Sequence, residues 1–134
     1  MSLLYGVPSE QIDTVWPEIQ PMVQRALTKV KDYRFEPEDI RDSLKLKDMQ
    51  LWVSVEETTL CAMLITQLLR FPRCLECDLF MWSGRMTGDW RRQLAVVEQW
   101  ATEQGCHYMS SHSRPGSAKF VGYEKGLIQT YRRL

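Results

Sequence analysis

Residues 74–106 read CLECDLFMWSGRMTGDWRRQLAVVEQWATEQGC, and the rest of the chain is arranged around this stretch. Cys74 to Trp82 is an apolar, β-rich run with Pro72 before it and Ser83-Gly84 after it, the pattern of a strand. Between residues 88 and 104, Trp90, Leu94, Val97 and Ala101 recur at helical spacing, with Trp100 beside them. Thr87 or Asp89 can cap that helix, and Gly105 suits a left-handed stop. Cys106 to Ser113 then reads as another strand. A strand, a glycine-containing loop, a long helix and a further strand imply an α/β sheet of mixed direction.

Upstream, Met49 to Glu56 alternates Leu51, Val53 and Val55 against Gln50, Trp52 and Ser54, and Thr59 to Leu69 is a longer β-rich run. Short links at Glu57-Thr58 and Phe71-Pro72-Arg73 join these to Cys74–Trp82, so an antiparallel meander is expected. Two helices precede it. In residues 9–31, Ile12, Val15, Trp16, Ile19, Met22, Val23, Ala26, Leu27 and Val30 follow the 3.6 period, with Ser9 as N-cap. Pro17 and Pro21 conflict with that pattern and predict a kink or a restart near Trp16. Residues 36–47 form a shorter helix. Pro37 suits its first position, Asp39 its first turn, and Phe35 with Ile40 the spacing of a hydrophobic staple. Downstream, Arg114-Pro115-Gly116 is a turn and Ser117–Val121 can make one helical turn. Tyr123–Leu134 is expected to end in a strand.

The 134 residues suit a single domain, 1–134, with a core that needs no metal or disulfide staple. The longest uncharged apolar run, Thr58 to Leu69, is too short to span a bilayer, and the N-terminus lacks the pattern of a secretory signal. Net charge is zero, which argues against a general nucleic-acid coat. The first 67 residues nevertheless carry −4 and the last 67 carry +4. That asymmetry suits an anionic ligand in the second half, or simply pairing between the halves. Cys61, Cys74, Cys77 and Cys106 read as free thiols in a reducing compartment. Cys74 and Cys77 have a zinc-ligand spacing, but in a strand they point to opposite faces, so no metal site is expected.

The sequence resembles the GNAT acyl-CoA N-acyltransferases, and within them the short members encoded by tailed bacteriophages and prophages. The residues that carry this are Val15-Trp16-Pro17-Glu18, Glu38-Asp39-Ile40, Met49-Gln50-Leu51-Trp52, Trp90, Trp100-Ala101, Gly105-Cys106, Arg114-Pro115-Gly116 and Gly122-Tyr123-Glu124. The resemblance covers residues 10–134. It implies an α+β fold: a mixed, mostly antiparallel sheet, two N-terminal helices, a long helix after the fourth strand, and a C-terminal strand.

It also implies a function, transfer of an acetyl group from acetyl-CoA to an amine. The family holds the coenzyme pyrophosphate on backbone amides where the long helix begins, through Gln/Arg-x-x-Gly-x-Gly/Ala. The matching segment is Gly84, Arg85, Met86, Thr87, Gly88 and Asp89. Arg85 and Gly88 fit, Trp90 stands where Gly or Ala is usual, and Asp89 brings a negative charge. For the chemistry, Glu76 and Asp78 share one strand face, where a carboxylate can serve as base, or pair with Arg73, Arg85 or Arg91. His112 lies near a strand end. The family's acid tyrosine, four residues before the glycine of a Gly-Tyr pair, is replaced by Ala118, leaving Tyr123 or Tyr108 as substitutes. Glu76, His112 and Tyr123 are thus the catalytic candidates. The competing implication is a non-catalytic phage virion, assembly or host-interaction protein whose cleft Trp90 or a neighbour fills. Its partner would be a phage or host protein, and its location the virion or the host cytoplasm. A homodimer is compatible with either. The tryptophans read as packing residues.

Overall fold

A computed structural model describes residues 2–85, 90–111, 123, 124, 126, 130 and 132–134. The elements in order are β1 (Ser2–Val7), a 3-10 turn (Ser9–Gln11), α1 (Ile12–Val30), α2 (Pro37–Lys45), β2 (Met49–Glu56), β3 (Thr59–Phe71), β4 (Cys74–Gly84), α3 (Trp90–Glu103) and β5 (Tyr108–Ser111). They build a five-stranded sheet in the order β1-β2-β3-β4-β5. The first three pairings are antiparallel, and β4 with β5 is parallel. The expected meander is present, and the parallel pairing of β4 with β5 gives the sheet its expected mixed direction. β1 is an addition that reading the residues one by one does not assign. With only six residues and no charge, it shows no usable periodicity until β2 lies beside it.

Apolar clusters cover both faces. On one, Ile12, Trp16, Ile19, Val23 and Leu27 of α1 and Ile40 and Leu44 of α2 pack on Leu51, Val53, Met63, Ile65 and Met81. On the other, Trp90, Leu94, Val97 and Ala101 of α3 pack on Trp52, Leu64, Cys77 and Leu79. Trp52 and Trp100 meet edge to face, 5.4 Å between ring centroids.

Helix α1 runs unbroken through Pro17 and Pro21. Both prolines are exposed, and the carbonyls they leave without a helical donor belong to Asp13 and Pro17, themselves on the solvent side. Ser9 does not cap the helix: its hydroxyl donates to Glu10, and a 3-10 turn leads into α1 instead. Helix α2 starts as expected at Pro37, capped by a reciprocal Glu36–Asp39 box. Phe35 packs against the cluster that contains Ile40. Gly105, at φ 88°, ends α3 by letting the Cys106 amide reach the Ala101 carbonyl at 3.0 Å. The expected cap of α3 at Thr87 or Asp89 falls outside the described residues, as do the turn at 114–116 and the helical turn at 117–121. So does most of the final strand; Tyr123, Glu124, Gly126, Thr130 and Arg132–Leu134 have no strand assignment.

Among the described residues no helix is long and apolar enough to cross a membrane.

Candidate active site

Strand β4 organises the site. Its residues alternate between faces, so Cys77 and Leu79 enter the cluster under α3 while Glu76 and Asp78 turn towards α1 and α2. Between the pairs Ile65–Met81 and Thr66–Leu79 the register shifts, leaving Phe80 as the extra residue of a bulge. The parallel pairing with β5 runs over Glu76–Tyr108, Cys77–Met109, Asp78–Ser110 and Leu79–Ser111. The bulge thus comes directly after the last of these pairs.

Asp78 is fully buried. Its carboxylate accepts hydrogen bonds from Gln67 Nε2 (3.0 Å) and Ser110 Oγ (3.2 Å), which tie β3, β4 and β5 together. Glu76, two residues earlier, is half-buried on the same face. Near Asp78 runs the connector between α1 and α2. There the Asp32 carboxylate receives the Arg34 backbone amide (3.0 Å), Arg34 Nε (3.0 Å) and Arg34 Nη2 (2.9 Å). Those bonds from Arg34 hold the Asp32 carboxyl below the usual range despite partial burial. The guanidinium is stabilised in turn, chiefly by Asp32 and also by the nearby Asp78 charge. Phe35 continues the connection, edge-on to Phe80 at 5.2 Å.

The cofactor segment is seen in part. Gly84 has φ +100°, and a Cβ there would stand 2.4 Å from the Cys61 carbonyl oxygen and 2.7 Å from Ala62 Cα. Its lack of a side chain therefore serves the close approach of β3. The Arg85 amide donates to the Cys61 carbonyl at 2.8 Å, so it too is engaged by the sheet. Met86, Thr87, Gly88 and Asp89 lie outside the described residues. Trp90 is turned inward, 7% exposed in the cluster under α3. The side chains of Arg85, Arg91 and Arg92 are exposed around the start of α3, whose described first turn has no acid. Exposed cations beside a helix start suit a bound anion. This charge distribution fits a pyrophosphate, while Gly84 and the Arg85 amide are given over to the fold.

The structure sets two of the catalytic candidates, Glu76 and Tyr123, apart. Tyr123 lies on the opposite face from Glu76, packed against the α3 cluster, and its hydroxyl donates to Glu98 Oε2 at 3.1 Å. Burial, then the Glu98 charge, pushes its phenol pKa well above the usual value. His112 lies outside the described residues. His107 is pinned to β4: its amide donates to the Leu75 carbonyl (2.8 Å) and its Nδ1 accepts the Leu75 amide (3.2 Å). Burial pushes the Cys77 thiol up to about 12 and also raises Cys106, so neither is an activated nucleophile. Cys74, three residues from Cys77, belongs to neither apolar cluster. Among the described residues no group of three or more His, Cys, Asp or Glu could hold a metal. Residue reading missed Gln67, Ser110, Asp32, Arg34 and the pair Phe35–Phe80. Only the Asp32-x-Arg34 spacing carries a local signal, that of an Asx turn.

No protein-family profile matches this sequence, and no curated protein does. Solved structures do match. An aminoglycoside acetyltransferase from an uncultured soil metagenomic sample, solved with sisomicin, superposes with TM-score 0.72 at 11% identity, over 99% of this chain and 96% of that one. A GNAT family acetyltransferase of Staphylococcus aureus gives TM-score 0.67 at 13% identity, over 99% and 98%. The aminoglycoside N-acetyltransferase AAC(6')-Iy, solved with CoA, gives 0.65 at 14%, over 99% and 95%. A four-strand antiparallel run, a crossover helix and a parallel fifth strand, matched end to end in this way, make the fold of this chain that of the GNAT-family acetyltransferases.

Proposed function

We propose that this protein is an N-acetyltransferase that moves an acetyl group from acetyl-CoA to an amine. The observation that carries the reading is the placement of Glu76: half-buried on β4, on the same strand face as buried Asp78. The Arg85 and Arg91 side chains would hold the coenzyme phosphates. When bound, acetyl-CoA supplies an acyl carbon activated as a thioester. Glu76 takes the proton of the attacking amine as the nitrogen–carbon bond forms and the carbon–sulfur bond breaks. The departing thiolate takes a proton from solvent. Asp78 fixes β4 against β3 and β5, so that Glu76 keeps its position. Tyr123 stands outside this set, because its hydroxyl is already donated to Glu98.

The test is calorimetric titration with acetyl-CoA, followed by thiol release with a panel of primary amines. Glu76→Gln is expected to lower kcat by about a hundredfold or more with acetyl-CoA affinity unchanged. Absence of heat at millimolar acetyl-CoA overturns the reading.

A second reading, a non-catalytic binding protein on the same fold, is favoured by one observation: the Arg85 amide is closed off by Cys61. Its finer form, a phage virion or host-interaction protein, rests on the sequence resemblance. Co-purification with virion particles, together with silence towards acetyl-CoA, would support it.

A further inference from the structure

Strand β4 carries two acids on one face, and the sheet treats them differently. Asp78 lies in the cross-strand row Gln67–Asp78–Ser110, fully buried, and both flanking side chains donate to its carboxylate. Glu76 lies in the next row, Leu69–Glu76–Tyr108. Side chains paired across strands share a face, with Cβ atoms about 5 Å apart. Among the described residues no hydrogen bond or ion pair engages the Glu76 carboxylate, so Arg73, Arg85 and Arg91 do not pair with it. Its neighbours are apolar instead. Leu69 is half-buried and Tyr108 is 63% exposed. Phe71, 46% exposed, shares the face one row further on, about 7 Å along β3. None of the three belongs to either apolar cluster of the core. Arg70 and Arg73, both exposed, add positive charge at the same hairpin end.

We propose that Leu69, Tyr108 and Phe71 are specificity-determining residues that select a monoamine carried on an apolar group, an arylalkylamine or alkylamine, and bring its nitrogen to Glu76. The choice of this substrate as acceptor rests on the acetyltransferase reading; the binding of the amine does not. Charge and surface both point to this class. The unpaired carboxylate attracts one ammonium, and the Tyr108 ring beside it adds a cation–π contribution. The apolar part of the amine covers Leu69 and Tyr108 and reaches towards Phe71, taking exposed apolar surface out of water. A polycation gains little here. The second acid, Asp78, is buried and already engaged, while Arg70 and Arg73 repel further positive charge.

The experiment compares 2-phenylethylamine with spermidine, in wild type and in Tyr108→Ala, Tyr108→Phe and Leu69→Ala. Wild type is expected to favour 2-phenylethylamine over spermidine by about tenfold or more in kcat/KM. Tyr108→Ala and Leu69→Ala should each lower that ratio about tenfold, mainly through the KM for 2-phenylethylamine. Tyr108→Phe should keep the ratio within about twofold, because the ring and not the hydroxyl makes the contact. Tyr108 is exposed, so its variants are expected to fold as wild type does, and denaturation midpoints check Leu69→Ala. Binding of 2-phenylethylamine is also followed by NMR titration without acetyl-CoA, and Tyr108→Ala is expected to weaken it about tenfold. Equal or greater efficiency with spermidine in wild type, or a ratio unmoved by Tyr108→Ala, overturns the proposal while the acetyltransferase reading stands. Failure of the wild type to bind acetyl-CoA or to acetylate any amine overturns that reading and the acceptor role with it. The titration then still decides the amine site: no binding, or binding unchanged in Tyr108→Ala, overturns it.

Discussion

Gly84 sits where β4 leaves the sheet, and one absent carbon sets how closely β3 can pass. Both its positive φ and the 2.4 Å approach to the Cys61 carbonyl forbid a side chain. Gly84→Ala is therefore expected to cost about 2–4 kcal/mol, seen as a lowered denaturation midpoint. Its place in the cofactor motif by sequence and its place in the sheet by structure are different roles for the same residue. Tyr123 makes the complementary point. Its hydroxyl donates to Glu98, so Tyr123→Phe is expected to lose about 1–2 kcal/mol of stability in chemical denaturation. Acetyl transfer should remain within about threefold of wild type, whereas loss of a general acid would cost about a hundredfold.

At the scale of elements, the ends of the helices carry most of the local information. The α2 capping box and the Gly105 stop of α3 agree with the residues found there. The turn after α2 does not: Lys47 adopts φ 67°, a left-handed conformation that costs a residue with a Cβ. Lys47→Gly is expected to be neutral or to stabilise by up to about 1 kcal/mol, read as a raised Tm, because relief of that strain exceeds the added freedom of the unfolded chain. Helix α1 is the counter-example to proline rules. Its two prolines fall on the solvent face, where water accepts the role of the missing donors, and the buried face of the helix remains continuous.

For the whole molecule, the shifted groups define a window of stability. Asp32 and Asp13 are held below the usual carboxylate value, Asp32 by Arg34 and Asp13 by Lys45 at 2.8 Å. A depressed folded value gives stability that is present above the unfolded value and is lost as pH falls through the folded one. Cys77 and Tyr123 are raised by burial. A raised folded value gives stability that is complete below the unfolded value and is lost as pH rises through the folded one. Denaturation profiles are thus expected to be flat near neutrality and to fall at both extremes. Asp32→Asn should shallow the acid limb, and Cys77→Ala the alkaline limb. In the folded protein at neutral pH, Cys77 should resist alkylation that reaches the more accessible thiols.

Local periodicity and end signals determined the helices, the meander strands and the order in which they come, because a helix stripe, a strand alternation and a glycine stop are properties of neighbouring residues. That order, with the scattered motifs, already pointed to the fold. Sequence also placed Glu76 and Asp78 on one face, since a two-residue spacing in a strand allows nothing else. Tertiary structure alone decided three things. It added β1, which is a strand only because β2 offers it partners. It turned Gly84 and the Arg85 amide towards Cys61, through a contact between residues more than twenty positions apart. And it set Tyr123 across the sheet from Glu76 while bringing Phe35 onto Phe80. Each of these depends on which surfaces remain when the sheet and its helices have packed, and no local window of residues contains that information.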